Sequence, residues 1–150
     1  MTNVSIRECA RQDLEGVFEL DKLWREEGVA HIWYGSRDDV MAAFDRFQNY
    51  FLVAESDGRI VGYINGSIRT NETVDVLPKQ QTYLEVENIY VRPEFRDVRV
   101  GGDLLDALLE VAKQNGIQRF VVSTVTKDID RILAFYRSHG FKPWYLELFK

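Results

Sequence analysis

The sequence is poor in the residues that build disulfides and metal sites. Its 150 residues include one cysteine, Cys9, and two histidines, so an internal disulfide is excluded and a clustered Cys/His metal site is not expected. No apolar run approaches the ~18 residues that a membrane-spanning helix needs. Residues 1–16 interleave charged residues with single apolar ones and contain no signal-peptide core. We therefore expect a cytoplasmic protein that does not enter a membrane.

The sequence also lacks an excess of positive charge. Its formal net charge is −5, whereas a nucleic-acid partner requires clustered lysine and arginine, so we expect no nucleic acid among its partners. Apolar residues make up 45% and charged residues 29%, a balance typical of folded globular proteins. The length fits one domain over residues 1–150. Local features would have to hold any anionic ligand against this acidic background.

Apolar patterns predict strands and helices in a definite order. The predicted strands are Val4–Cys9, Phe51–Ser56, Arg59–Ile68, Tyr83–Val91, Arg119–Val125 and Trp144–Phe149. The predicted helices are Leu14 to near Gly28, Ser36 (as N-cap) to Phe47, Gly101 to about Asn115 and Ile129 to His139. A hairpin comes first, and strands then alternate with helices. This order predicts a mixed sheet covered by helices in one domain.

A short arginine-containing loop precedes the third predicted helix. Residues 95–102 have the sequence F-R-D-V-R-V-G-G. The first turn of a helix presents unpaired N–H groups and the positive end of the helix dipole, which together bind phosphate. Arg96 and Arg99 would add positive charge, and Gly101 and Gly102 lack the Cβ atoms that would keep a diphosphate from the backbone. Alone, the segment is equally compatible with a plain turn and two solvated arginines.

A second motif lies at the end of the fourth predicted helix. Residues 135–141 have the sequence F-Y-R-S-H-G-F, which places Tyr136 one turn before the helix stops at Gly140. A tyrosine at helical spacing is more often a core residue than a catalytic one. By itself, this motif therefore assigns no chemistry to Tyr136.

Together, the two motifs resemble the GNAT superfamily of N-acetyltransferases. In that family the acetyl-CoA motif, Arg/Gln-x-x-Gly-x-Gly/Ala, follows a strand of the pattern Asn-Leu-Tyr-Val-x-Pro, and a later motif has the pattern Phe-Tyr-x-x-x-Gly-Phe. Residues 88–93 are N-I-Y-V-R-P here, and residues 135–141 match the later motif at every fixed position. Arg99 departs from the family pattern, because it stands where the first glycine is usual, and Asp128-Ile129-Asp130 stands where asparagine is frequent.

The resemblance implies a fold, a cofactor and partners. The fold would be α/β (α+β mixed), with a central mixed, mostly antiparallel twisted sheet of six to seven strands and about four flanking helices. Acetyl-CoA would be the acyl donor and a small-molecule amine the acceptor. A homodimer through Trp144–Phe149 is a further option. The cofactor-binding residues would be Ile89, Tyr90, Val91, Arg96, Asp97, Val98, Arg99, Val100, Gly101, Gly102 and Tyr136.

The resemblance also implies catalytic roles. The amine would attack the thioester directly, and the strand would splay near Ile89 so that the N–H of Ile89 or Tyr90 polarises the thioester carbonyl. Tyr136 would be the general acid for the thiolate, because reference pKa values of ~10 for a phenol and ~8.5 for a thiol make proton donation uphill by only ~1–2 units.

Two glutamates are candidates for the general base. Glu85 and Glu87 lie two residues apart and so share one strand face, where mutual repulsion raises the pKa of one carboxylate. A carboxylate with a raised pKa can draw a proton from an ammonium group through a water molecule. We favour Glu87, with Glu85 second. The alternative is that both only attract a cationic substrate.

The acceptor side and the function class stay open. In the family, the first two helices line the acceptor, and acidic and aromatic residues there suit a cationic amine, although a core tryptophan and a solvated helix end explain several of them more readily. The functions to separate are small-molecule N-acetyltransferase, protein or peptide N-acetyltransferase, non-catalytic acyl-CoA-binding module and structural or interaction protein. The acceptor-side residues are Trp24, Glu26, Glu27, His31, Trp33 and Tyr34.

Overall fold

A computed structural model describes residues 3–28, 35–124 and 127–150. The strands are β1 (Val4–Glu8), β2 (Phe51–Ser56), β3 (Arg59–Thr70), β4 (Thr82–Val91) and β5 (Phe120–Val122). The helices are α1 (Leu14–Glu26), α2 (Arg37–Phe47), α3 (Val100–Gln114) and α4 (Ile129–Ser138). None of these helices has the length and apolar character needed to cross a bilayer.

The five strands form one sheet in the order in which they occur along the chain. Strands β1 to β4 pair antiparallel with one another, whereas β5 runs parallel to β4. The β2–β3 hairpin turns through Asp57 and Gly58, whose φ angles of 50° and 76° fit the left-handed turn that suits a twisted hairpin. The predicted Asp-Gly hairpin is therefore confirmed.

Helices cover both faces of the sheet. On one face, α1 and α2 bury Leu20 and Phe47 against β-strand residues such as Tyr63. On the other face, α3 buries Leu104 and Leu108 against Ile64 and other strand residues, and α4 packs beside it. Ser36 caps α2 by accepting a hydrogen bond from the Asp39 N–H at 3.2 Å, as the sequence predicts. Each helix therefore contributes an apolar face to a layer on the sheet.

The predicted fold class is confirmed, but the predicted strand count is wrong. The described residues form five strands rather than six or seven, and β5 covers three residues instead of Arg119–Val125. The predicted strand Trp144–Phe149 is absent from the described chain. Tyr145 and Leu146 are 66% and 71% exposed, so neighbouring side chains both face solvent and no strand face is buried. Alternation of apolar residues predicts a strand only where a neighbouring strand can pair with it.

Candidate active site

Strands β4 and β5 pair for three residues and then separate. Residues 84–86 pair with residues 120–122, after which β4 continues to Val91 with no described strand on that edge. On its other edge β4 carries a bulge at Glu87, because Asn65 faces Asn88 while Gly66 faces Val86. The splay therefore begins at Glu87, two residues before the predicted Ile89.

The direction of the backbone groups distinguishes Ile89 from Tyr90. The Arg92 N–H donates to the Val61 carbonyl of β3 at 2.8 Å. Because successive residues of a strand direct their N–H groups to opposite edges, the Tyr90 N–H faces β3 and the Ile89 N–H faces the splay. The Val91 carbonyl agrees with this assignment, since it accepts a hydrogen bond from Arg96 Nε at 2.9 Å rather than from β3.

A cavity of about 850 Å³ lies at the splay. Its walls come from α1, from β4 and the end of β5, from the start of α3 and from α4. The predicted site residues that line it are Glu85, Glu87, Ile89, Tyr90, Val91, Arg96, Gly101 and Tyr136. The other predicted loop residues, Asp97, Val98, Arg99, Val100 and Gly102, do not line it.

Arg96 and Gly101 are the residues of the arginine loop that line the cavity, and both arginines of the loop are paired with carboxylates. Arg96 Nη2 lies 2.8 Å from both carboxylate oxygens of Glu27 at the end of α1, which holds the pKa of Glu27 below its usual range. Arg99 Nε donates to Asp103 at 3.1 Å. Any phosphate contact by the loop would therefore rest first on backbone N–H groups.

Helix α3 begins at Val100, beside the cavity. Its N-cap, Arg99, has a φ of 69°, in the left-handed region that favours glycine. This backbone conformation is a physical reason for a glycine in the family motif at the position of Arg99. A Cβ at Gly101 would meet its nearest neighbour, Val91 Cγ2, at 3.7 Å, an ordinary contact, so Gly101 leaves open space toward the cavity.

Glu85 and Glu87 both pair with Arg69. Arg69 of β3 contacts Glu85 Oε2 through Nε, and its Nη2 lies 2.8 Å from Glu87 Oε1. Ser67 Oγ donates to the same Glu87 oxygen at 2.8 Å. Burial raises the pKa of Glu85, Arg69 opposes this shift, and the negative charge of Glu87 adds to it. The structure thus brings the two carboxylates together on one face, as their spacing predicts.

Tyr136 is buried in α4 and lines the cavity. Its ring packs edge-on against Phe135 and Phe141, with centroid distances of 5.0 and 5.5 Å. Burial raises its pKa to about 12, so the hydroxyl is protonated at neutral pH. The residue is therefore both a core side chain and part of the cavity wall, and the two interpretations of the sequence do not exclude each other.

The acceptor-side residues fall into three groups. Trp24 stacks on Tyr90 with a centroid distance of 5.4 Å, packs against the core under α1 and also lines the cavity. Glu27 lines the cavity and pairs with Arg96, whereas Glu26 is exposed. The remaining three candidates, His31, Trp33 and Tyr34, lie outside the described residues.

The sequence model of the acetyltransferase (GNAT) family matches residues 11–141. The chain belongs to the GNAT acetyltransferase family. This match confirms the resemblance based on the residue motifs, and the left-handed Arg99 is thus a departure within a GNAT sequence.

Known GNAT proteins resemble the chain in sequence and in fold. It is 25% identical over 146 residues to an uncharacterized N-acetyltransferase of Methanocaldococcus jannaschii, covering 92% of this chain and 60% of that protein. It is 26% identical over 149 residues to an amino-acid acetyltransferase of Aeromonas salmonicida, covering 95% of this chain and 29% of that protein. The chain thus spans less than two thirds of either relative.

Solved GNAT structures share the whole fold. An aminoglycoside N-acetyltransferase in complex with CoA superposes with a TM-score of 0.79 at 21% identity, covering 100% of this chain and 95% of that one. At this identity the likeness establishes the fold alone.

Several residues that line the cavity of this GNAT chain were not predicted from the sequence. They follow β5 or lie near the start of α4, and include Ser123, Thr124, Lys127 and Arg131. These positions lie between the two recognised motifs and have no distinctive spacing. The one available signal was their place after a strand that runs parallel to β4, because ligands often bind beyond the carboxyl ends of parallel strands.

Proposed function

We propose that this chain transfers the acetyl group of acetyl-CoA to the primary amine of a small molecule. The observation that carries the proposal is the splay of β4 from β5, which turns the Ile89 N–H toward a cavity shared with Glu85, Glu87 and Tyr136. A backbone donor that faces no strand among the described residues, two carboxylates and a buried phenol around one cavity are the parts that acyl transfer to an amine requires.

The donor would lie with its thioester in the splay and its diphosphate at the start of α3. The first N–H groups of a helix have no partner within the helix and bind phosphate. Gly101 lets the diphosphate approach the backbone, and the Ile89 N–H would hydrogen-bond the thioester oxygen as negative charge develops there. CoA-bound relatives with the same fold support acetyl-CoA as the donor.

Tyr136 would hydrogen-bond the departing sulfur rather than ionise. With a pKa of about 12, full proton transfer to a thiolate whose reference value is ~8.5 is uphill by roughly 3.5 units, or ~5 kcal/mol. This cost of proton transfer is larger than the ~1–2 units that the reference pKa values of a phenol and a thiol give. A hydrogen bond from the protonated hydroxyl still stabilises the developing thiolate, without complete proton transfer.

Glu85 and Glu87 would remove the proton from the acceptor ammonium as one coupled pair. The pKa of Glu85 is raised by burial, which makes it more basic than an ordinary glutamate. Glu87 is held by Ser67 and Arg69, so its carboxylate is fixed at the cavity wall. The proton would pass through water between the amine and the pair.

The test is release of free CoA from acetyl-CoA in the presence of a panel of small primary amines. The proposal predicts CoA release that depends on both the protein and the amine, with an acetylated amine detected by mass spectrometry. Binding of acetyl-CoA without turnover of any small amine or peptide would contradict it in favour of an acyl-CoA-binding module. Turnover of peptides alone would place the acceptor in the protein class.

Pairing of two chains through Trp144–Phe149 stays a prediction. Five large apolar side chains there, Trp144, Tyr145, Leu146, Leu148 and Phe149, are exposed, which supports a contact that covers them. Light scattering of the chain and of a Leu146→Asp, Leu148→Asp variant is the measurement. A dimer that the variant converts to monomer is the expected result, and an unchanged mass would contradict the prediction.

A further inference from the structure

Two arginines lie beside the glutamates that line the cavity. Arg69 joins both carboxylates, with its Nη2 2.8 Å from Glu87 Oε1. Arg46, in the last turn of α2, places Nη2 3.9 Å from the same oxygen. Among the described residues, the two glutamates of the cavity wall thus lie beside two arginines that stand outside that wall, and the four charges sum to zero.

The four side chains belong to one face of the sheet. Tyr63 of β3 is buried under α1 and α2, and alternate residues of a strand share a face, so Arg69 projects toward the same layer. Its contacts with Glu85 and Glu87 place these glutamates on that face as well. Arg46 reaches the cluster from α2. The cluster thus lies where α2 ends, and its two carboxylates belong to the cavity wall.

This charge balance disfavours a polycationic acceptor. A lone ammonium would gain little from two carboxylates whose charges Arg69 and Arg46 together compensate, and each further positive charge on the acceptor would meet two guanidinium groups. Specificity is set by repulsion of the wrong ligand as much as by attraction of the right one. An acceptor that carries an acid group beside its amine would be attracted by both members of the cluster.

Arg46 has the capacity to bind that acid group. Its side chain is 60% exposed, and 3.9 Å from Glu87 is longer than a hydrogen bond. Its guanidinium lies 5.2 Å from the centroid of the Phe47 ring, a cation–π contact that supports its position. A guanidinium offers paired N–H donors that match the two oxygens of a carboxylate or phosphate.

We infer that the acceptor is a small zwitterion, whose amine meets Glu85 and Glu87 and whose acid group meets Arg46. This inference rests on the proposed function and narrows it to a substrate class. Arg46 is then a specificity-determining residue, while Arg69 positions the two carboxylates.

The test compares pairs of acceptors that differ only in the acid group. Amino acids are paired with the amines that decarboxylation would give, and aminoalkyl phosphates with the matching amino alcohols, so that carboxylate and phosphate are distinguished. We expect the acid-bearing member to have the higher kcat/KM in the carboxylate pairs or in the phosphate pairs, and the kind of pair that shows this preference identifies the acid group. A higher kcat/KM for the decarboxylated and dephosphorylated members would overturn the inference while leaving the acetyltransferase proposal intact.

Two variants test whether Arg46 produces the preference for acid-bearing acceptors. Arg46→Gln is expected to lower the preference for the acid-bearing acceptor, as a ratio of kcat/KM values, by about tenfold. Arg59→Gln makes the same charge change at the start of β3, at the other end of that strand from Arg69. It is expected to leave that ratio unchanged. An equal ratio in wild type and Arg46→Gln would overturn the role of Arg46. Failure to release CoA with any acceptor would overturn the proposed function and this inference together.

Discussion

The two ends of the cavity hold charge in different ways. At the end formed by Glu85 and Glu87, acidic side chains from one strand are compensated by arginine side chains from neighbouring elements. At the end formed by the start of α3, Arg96 is already paired with Glu27, so the loop and the helix start offer an anion chiefly their backbone N–H groups. Side-chain chemistry therefore dominates one end and backbone geometry the other.

This difference predicts different sensitivity to mutation. A site built from backbone groups is hard to remove by deleting a side chain and easy to block by adding one. A site built from side chains loses its function when one of them is neutralised. The variants below test each end by the change to which it should be most sensitive.

Gly101→Glu should have the largest effect. The new Cβ has room, with its nearest neighbour at 3.7 Å, so the fold should persist, but a carboxylate at the helix start would repel a diphosphate. We expect the Kd for acetyl-CoA in calorimetric titration to rise at least ~100-fold. Gln114→Glu adds the same charge at the far end of α3 and serves as the control. Unchanged affinity in Gly101→Glu would show that the diphosphate binds elsewhere.

Neutralising the glutamates should affect turnover but not donor binding. For the Glu85→Gln, Glu87→Gln double variant we expect kcat to fall ~100-fold, a typical contribution of a general base. The Kd for acetyl-CoA should stay near that of wild type, and Glu110→Gln on the exposed side of α3 is the control. Wild-type rates in the double variant would reduce both glutamates to a structural role.

The pH profile sharpens this prediction for Glu85. Because burial raises its pKa, the carboxylate becomes protonated at a higher pH than an ordinary glutamate. Activity that requires the ionised form should therefore fall as the pH drops through that raised value. The acidic limb of the kcat/KM profile should move or disappear in Glu85→Gln, and an unaltered limb would assign the base to another group.

Tyr136→Phe should have a smaller effect on rate. The phenyl ring keeps the packing against Phe135 and Phe141, so only the hydrogen bond to the thiolate is lost. We expect kcat to fall ~10-fold, within the lower range for such groups, with little change in the Kd for acetyl-CoA. The melting temperature without ligand controls for packing. A rate equal to that of wild type would remove Tyr136 from the mechanism.

Arg99→Gly should have the smallest effect, and on stability. A residue with a side chain in the left-handed region costs about 1 kcal/mol relative to glycine, while the exposed pairs of Arg99 with Asp103 and Asp106 contribute less. The melting temperature should rise by ~2–4 °C. A lower melting temperature would mean that the ion pairs outweigh the backbone strain.

Sequence reasoning succeeded where the signal is local. The Asp57-Gly58 turn, the Ser36 cap and the helix that begins near Gly101 follow from a few adjacent residues. The strand predicted at Trp144–Phe149 failed because strand formation depends on a neighbouring edge, which local alternation does not report.

The candidate site was predictable only in part, for the same reason. Tyr136 and the Glu85–Glu87 pair were proposed as site residues from motifs and spacing, and all three line one cavity. The role of Arg69 in joining the glutamates depends on the register of β3 and β4, and the Glu27–Arg96 pair joins residues 69 positions apart. Contacts across such separations come from the fold, which no single segment encodes.

The central claim is that acetyl-CoA binds at the splay of β4. The most direct test is an NMR titration of the 15N-labelled protein with acetyl-CoA, following backbone amide signals. We predict saturable shifts of the Ile89 and Gly101 amides, with the Gly58 amide in the distant β2–β3 turn unmoved. Ile89 and Gly101 signals that stay fixed at millimolar acetyl-CoA would contradict the account.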